Sequence, residues 1–253
     1  MQQDKERSTL AGPDFRHVNA WLFDLDNTLY PAACALFDQI EARMTAFVQQ
    51  RFALGFEEAR RLQKAYYREH GTTLNGLMRE HGVDPDLYLD FVHDIDLSAL
   101  AVDDALAAAL LRLPGRRFVF TNGCRRHATR VLQRLAVAHL FDEVWDIRTI
   151  GFRPKPDAQS YRAVLDRAGI EARRSAMFED MARNLVPAHA LGMTTVLIRN
   201  ESPWSKQGPD HPIATREHIH YETDDLAGFL NAVVTAENHQ SKSVMAGRPE
   251  PPR

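Results

Sequence analysis

The feature that most constrains the fold is a set of short apolar runs without polar alternation. HVNAWLFDL (17–25), RRFVFTN (116–122), EVWDI (143–147), SAMFED (175–180) and TTVLIRN (194–200) are rich in β-branched and aromatic residues. A strand with one wet face alternates apolar and polar positions, whereas a strand buried on both faces reads as continuous apolar sequence. Helical patterns lie between the runs. RRHATRVLQRLAVAHL sets Val131, Leu132, Leu135 and Val137 toward one side, and DAQSYRAVLDRAG opens at a capping Asp157 and closes at Gly169. This alternation predicts a doubly wound, Rossmann-like α/β fold with a parallel sheet covered on both faces.

One interval breaks the alternation. Between 25 and 116 no strand-like run occurs. Instead, Leu36, Ile40, Met44, Phe47 and Val48 recur at helical spacing in 36–52, and FEEARRLQKAYYREHG reads as a second helix stopped at Gly71. Thr72 and the pair Asp84-Pro85 start two shorter helices. About 75 residues of helix are too many for a simple crossover connection. The expected organisation is a core of 17–32 and 110–237 with an inserted small helical cap domain at 33–109. The polar residues 1–16 and the Pro-rich end 238–253 are expected to be disordered tails.

Whole-chain properties narrow the function. At 253 residues there is room for one well-cored domain carrying a smaller insertion. A net charge of −3 and a pI near 6.4 offer no strongly basic face, which counts against a nucleic acid polymer as partner but not against a small phosphorylated ligand. No apolar stretch approaches the roughly 20 residues that span a bilayer, and MQQDKERSTL lacks a signal-type hydrophobic segment, so no membrane partner and a cytoplasmic location are expected. Cys34 and Cys124 are too few and too isolated for a disulfide framework or a zinc cluster, and free thiols are expected.

Ligands of open parallel sheets bind at the carboxyl ends of the strands. The polar residues there are Asp24 and Asp26 after the first run, Thr121 and Asn122 after the second, and Glu179 and Asp180 after the fourth. Lys155 lies in GFRPKPD, where flanking prolines stiffen its approach. Carboxylates clustered at one edge repel unless a cation offsets them, and oxygen ligands at this density suit Mg²⁺. A divalent ion and a lysine together match a dianionic phosphate.

In this order, FDLDNT, FTNG, RPKPD and FEDMARN, with an insertion after the first, resemble the haloacid dehalogenase-like superfamily of aspartyl-phosphate-forming phosphohydrolases over roughly residues 18–236. The resemblance implies Asp24 as nucleophile and Asp26 as general acid and base. It also implies Thr121 and Asn122 as a phosphate-binding pair, and Lys155 as the residue orienting nucleophile and phosphate. Asp180 with Glu179, beside Asp24 and Asp26, would form the metal site. YYREHGTTLNGL (66–77) and the Tyr-Pro of WLFDLDNTLYP are similar to the pyrimidine 5′-nucleotidase subgroup, which often carries Asp-Asp where this chain has Glu179-Asp180. That likeness implies a small phosphomonoester partner such as UMP or CMP, with base contacts from Tyr66, Tyr67 and Asn75. The chain is expected to be a monomer or homodimer.

Other readings stand beside these. A helix cap explains one carboxylate of the Asp24/Asp26 pair but not the second or Lys155. Aromatic residues at helical spacing more often form cap core, which is the other reading of Tyr66 and Tyr67, and Asn184 is either a metal-shell residue or an ordinary polar position. His218 and His220 are expected on an ordinary strand face, Trp21 and Trp145 in the core. Dehalogenases of the superfamily lack the acid at the Asp26 position and do not need the metal carboxylates. A sugar-phosphate or phosphoglycolate phosphatase, a phosphomutase and an inactive binding scaffold are the remaining alternatives.

Overall fold

The computed structural model of the chain describes residues 13–200 and 216–246. Six strands form one parallel sheet in the order β3-β2-β1-β4-β5-β6. They are β1 (Ala20–Phe23), β2 (Arg116–Phe120), β3 (Glu143–Trp145), β4 (Ser175–Glu179), β5 (Thr194–Ile198) and β6 (Tyr221–Thr223). The first five fall inside the five apolar runs. β6 is a three-residue edge strand, too short to carry a periodicity signal.

Both faces of the sheet are buried, which explains the continuous apolar runs. Trp21 and Phe23 enter one cluster with Val119, Phe178 and Val196, while Ala20 and Leu22 enter another with Phe118, Phe120 and Met177. The period-two alternation is therefore between two cores rather than between core and water.

The regular elements of the cap are four α-helices: α1 (Leu36–Phe52), α2 (Phe56–His70), α3 (Thr73–His81) and α4 (Pro85–Val92). Its boundaries follow local chemistry. Gly71 takes φ 81° after α2, the Thr72 side chain accepts from the Asn75 N–H at the start of α3, and Asp84 caps α4 with Pro85 in the first turn. Helix α5 (Asp104–Arg112), N-capped by Asp103, crosses the expected boundary at 109/110. Its Leu106 and Leu110 share a core cluster with Leu226 and Leu230, and Arg112 donates to Asn231, so α5 packs with the core from its first turn.

The remaining helices cover the sheet: α6 (Arg125–Arg134), α7 (Ala158–Ala168, capped by Asp157 and stopped by Gly169 at φ 62°), α8 (Ala182–Ala190) and α9 (Leu226–Ala246). Of the expected tails, residues 1–12 and 247–253 lie outside the described residues. Phe15 does not belong to a tail, being fully buried and stacked on Trp21, and α9 extends past the expected end at 237. His218 and His220 sit in the turn before β6 instead of on a strand, tied to Thr195 through the His218 carbonyl and His220 Nδ1. Among the described residues, no helix is long and apolar enough to cross a membrane.

Candidate active site

The sheet order places β1 between β2 and β4, so three of the four motifs end side by side. Phe23 pairs with Val119 and Phe178, which sets Asp24 level with Phe120 and Glu179. The Asp24 N–H extends the ladder to the Phe178 carbonyl at 2.9 Å. Lys155, with no exposed surface, enters from the loop before α7. Its Nζ donates to Asp24 Oδ1 at 2.6 Å, Glu179 Oε2 at 2.6 Å and the Phe120 carbonyl at 2.8 Å, so all three ammonium hydrogens are used. Asn122 braces that loop, donating from Nδ2 to the Lys155 carbonyl at 3.1 Å and accepting the Lys155 N–H at 2.8 Å. Its amide is thus occupied in positioning Lys155. Thr121 Oγ1 accepts the Gly123 N–H at 2.9 Å, which leaves the hydroxyl hydrogen to donate into the pocket it lines.

The electrostatics identify what the site needs. Burial, then the charge of Glu179, pushes Asp24 up to about 7 against the pull of Lys155. Burial, then Glu179 and Asp24, pushes Asp180 well above the usual carboxylate range. Burial opposes the charge on Lys155, but Asp24 and Glu179 more than offset it and hold the ammonium above its ordinary value. Three buried carboxylates with one lysine between them lack positive charge. Ligand oxygens of Asp24, Glu179 and Asp180 lie within 4.8 Å of one another. Asn184 Oδ1, on the same pocket, is buried without a hydrogen-bond partner. Hard oxygen donors in this number, one of them an orphaned amide oxygen, fit Mg²⁺.

The Asp26 carboxylate does not join that cluster. Beyond Asp26 the chain turns at Asn27, held at φ 62°, a left-handed conformation that asparagine tolerates better than most residues. The Asp26 side chain is met by the Tyr30 hydroxyl at 2.6 Å and His127 Nε2 at 2.8 Å. Burial pushes its pKa up, but His127 and then Tyr30 outweigh that and hold Asp26 below its ordinary value. Its side chain, expected among the metal ligands, takes instead a separate position facing the same pocket, outside the cluster of Asp24, Glu179 and Asp180 carboxylates.

Cap residues close the pocket from above. Tyr67 lines it, with the Arg183 guanidinium 4.7 Å over its ring and donating to its hydroxyl. Tyr66 and Asn75 do not line it. The Tyr66 ring packs so tightly on Gly76 that a Cβ there would stand 2.4 Å from Tyr66 Cγ, and its hydroxyl pairs with His81 Nε2 at 2.5 Å. Asn75 instead donates to the His70 carbonyl and lines a different cavity beside Pro154. Tyr66 and Tyr67 point in different directions because neighbours on a helix are about 100° apart.

Sequence reasoning missed Tyr30, His93, His127, Gln63 and Arg183. Tyr30 lies four residues after Asp26, a local signal that could have been read; His127 is 101 residues away and is joined only by the fold. Cys124 is buried and unpaired, its Sγ 3.3 Å from His93 Nδ1, and burial raises its thiol pKa, which opposes a nucleophilic role. Cys34 is also unpaired, and Trp145 is only partly buried at the side of its core cluster.

Fold and site together define a hydrolase of the doubly wound α/β class, built around a strand-end carboxylate. The model of the haloacid dehalogenase-like hydrolases matches residues 18–192, and the chain belongs to that family. It is 28% identical over 215 residues to the Saccharomyces cerevisiae phosphate metabolism protein 8, covering 78% of this chain and 66% of that protein. The chain thus spans just under two thirds of that relative's length. It is also 25% identical over 197 residues to a glyceraldehyde 3-phosphate phosphatase of Methanothermobacter thermautotrophicus, covering 73% of this chain and 87% of that protein. Among solved structures, the Bacillus subtilis HAD-hydrolase YfnB bound to magnesium superposes with a TM-score of 0.54 at 17% identity, covering 85% of this chain and 98% of that one. The L-2-haloacid dehalogenase from Xanthobacter autotrophicus does so with a TM-score of 0.52 at 14% identity, covering 85% and 98%. These two similarities concern the fold.

Proposed function

We propose that the protein is a Mg²⁺-dependent phosphomonoesterase working through an aspartyl phosphate on Asp24, with pyrimidine nucleoside 5′-monophosphates such as UMP and CMP as substrates. The observation that carries the reading is the buried Asp24–Lys155–Glu179 unit, with Asp180 beside it, at the end of the central strand and beneath the cap pocket.

Lys155 fixes Asp24 through Oδ1, leaving Oδ2 to attack phosphorus. Asp24, Glu179 and Asp180, with Asn184, would hold Mg²⁺, which when bound offsets the repulsion between nucleophile and phosphate oxygens. As the Asp24 O–P bond forms, the bond from phosphorus to the substrate's ester oxygen breaks, and protonated Asp26 gives its proton to that oxygen. The arriving dianion opposes ionisation of Asp26 and so favours the protonated form needed at this step. Water then attacks the aspartyl phosphate, Asp26 takes the proton the water loses, and Asp24 and inorganic phosphate are released. The Lys155 ammonium and the Thr121 hydroxyl stabilise charge on the transferring group.

The cap side supports a nucleobase over a polyhydroxylated group. Phe37, Ile40, Met44, Tyr88, Leu89 and Val92 present apolar surface, on which a flat ring can lie. Gln63 also lines it; its Oε1 accepts from Thr45 at 2.8 Å, while its Nε2 has only a long contact to Met44 Sδ at 3.7 Å. That amide is the donor best placed to read a base carbonyl, the role Asn75 was expected to fill.

A second reading, a triose-phosphate phosphatase, is supported by the names of the 25–26% identical archaeal relatives. Phosphate release from UMP, CMP, glyceraldehyde 3-phosphate and hexose phosphates, with and without Mg²⁺, separates the two. The expected result is Mg²⁺-dependent release with the highest kcat/KM on UMP or CMP. Preference for a triose or hexose phosphate would overturn the nucleotide assignment, and no release from any of them would overturn the phosphatase assignment.

A further inference from the structure

Asp26 has to do two jobs, giving a proton and later taking one, and must present the same oxygen both times. Its surroundings are arranged for that. The Tyr30 hydroxyl and His127 Nε2 both converge on one oxygen, Oδ1. No hydrogen bond from the described residues reaches Oδ2, and Asp26 lines the pocket.

His127 lies in the first turn of α6 with no exposed surface. Its Nδ1 is buried without a hydrogen-bond partner. A buried imidazole with one nitrogen unsatisfied costs stability relative to an apolar side chain of the same shape, so packing alone does not account for it. The hydrogen bond to Asp26 does.

The ring is also clamped. His93, at the end of α4, stacks on it with ring centroids 4.5 Å apart and planes 13° from parallel. Arg130, one turn further along α6, donates to the His93 and Ile95 carbonyls at 2.9 and 3.0 Å, fastening the chain leaving the cap to the same helix. With its ring held by His93 on the flank, His127 cannot rotate away from Asp26 without displacing the cap's exit.

We propose that His127 is the positioning residue for the general acid and base: with Tyr30 it occupies Oδ1, so that the transferable proton of Asp26 resides on Oδ2, facing the ester oxygen. His93 backs the imidazole from the cap. This rests on the phosphomonoesterase reading and adds to it a residue that touches neither phosphate nor metal ligands.

The leaving group supplies the test. A nucleoside leaves as an alcohol and needs a proton from Asp26, whereas 4-nitrophenolate leaves without one, and kcat/KM reports only the steps through departure of the leaving group. Steady-state kcat/KM on UMP and on 4-nitrophenyl phosphate is measured for wild type, His127→Leu, His127→Gln and Tyr30→Phe. Gln can place a donor near the Nε2 position, Leu cannot, and Tyr30→Phe keeps its ring in the core should the α6 variants fail to fold.

His127→Leu is expected to lower kcat/KM on UMP about 30- to 100-fold and on 4-nitrophenyl phosphate less than about 3-fold, a partial loss of the roughly 10²- to 10⁴-fold that general acid catalysis supplies. His127→Gln recovers most of the loss, and Tyr30→Phe shows the same leaving-group split at smaller size. Equal losses on both substrates, or a Gln variant no better than Leu, overturn the role of His127 while leaving the phosphatase reading intact. If the His127 variants do not fold, absence of the split in Tyr30→Phe overturns it. Wild type inactive on both esters and on the triose and hexose phosphates overturns the phosphatase reading and the role of His127 with it.

Discussion

On the sheet side of the pocket, functional groups are charged and fixed by named partners: the buried Lys155 by Asp24, Glu179 and the Phe120 carbonyl, the partly buried Asp26 by Tyr30 and His127. On the cap side, Phe37, Ile40, Met44, Leu89 and Val92 give an apolar surface interrupted by the amide of Gln63 and the hydroxyl of Thr73. The sheet side is assembled from strand ends whose register is set by backbone ladders, so its geometry tolerates little change. The cap side is assembled from helix faces, where one side chain can be exchanged for another of similar volume. The difference teaches where to look for each property: reaction type in the sheet, substrate choice in the cap.

Lys155→Met strikes the comparison hardest. It leaves Asp24 and Glu179 facing each other, and breaking a buried charge network by removing one partner costs about 3–5 kcal/mol. Chemical denaturation should show that loss, and phosphate release should fall on every ester alike, because no cap contact has changed. Substrate-dependent losses would mean that the two walls are not separable.

Metal binding comes next. A carboxyl raised to about 7 from 3.8 holds its proton more tightly in the folded than in the unfolded chain, so its contribution to folding of the metal-free protein weakens as pH rises from about 4 to 7 and levels off above. A cation displaces that proton, so Mg²⁺ stabilisation grows over the same window. At about 100 times its dissociation constant Mg²⁺ adds roughly 2.7 kcal/mol, and thermal melts should show a larger Mg²⁺-induced rise in Tm near pH 8 than near pH 5.5. An equal rise at both would contradict the acidic cluster as the metal site.

The cap predictions are smaller. Gln63→Leu removes one hydrogen bond to the base, worth about 1 kcal/mol, so kcat/KM on UMP should fall roughly 5-fold while 4-nitrophenyl phosphate changes less than about 2-fold. Tyr66→Phe loses only the contact with His81 and should leave turnover of both esters within about 2-fold of wild type, with at most about 1 kcal/mol lost in stability. A large kinetic effect at Tyr66 would put that ring back on the substrate.

The same division explains what could be read from the sequence. The strands were legible because burial on both faces leaves an unbroken apolar run, and the cap helices because Thr72, Asp84 and Gly71 mark their ends by local chemistry. Asp24, Thr121, Glu179 and Asp180 converge because they end adjacent strands of one parallel sheet, and Lys155 joins them from the proline-flanked loop before α7. Which of Tyr66 and Tyr67 faces the pocket depends on the rotation of α2, fixed by the approach of Gly76 to the Tyr66 ring, a contact between helices. The link from His93 to His127 to Asp26 joins three segments with no shared motif, so only the fold reveals it.

The central claim is that Asp24 carries the phosphoryl group. Acid-quenching the enzyme during turnover of UMP with Mg²⁺, digesting it and locating phosphate by mass spectrometry tests this directly. The account predicts an acid-stable, base-labile phosphoryl group on the peptide containing Asp24 in wild type and none in Asp24→Asn, which should also lose turnover by on the order of 10⁴-fold or more. Turnover retained in Asp24→Asn, or phosphate trapped on another residue, would contradict it.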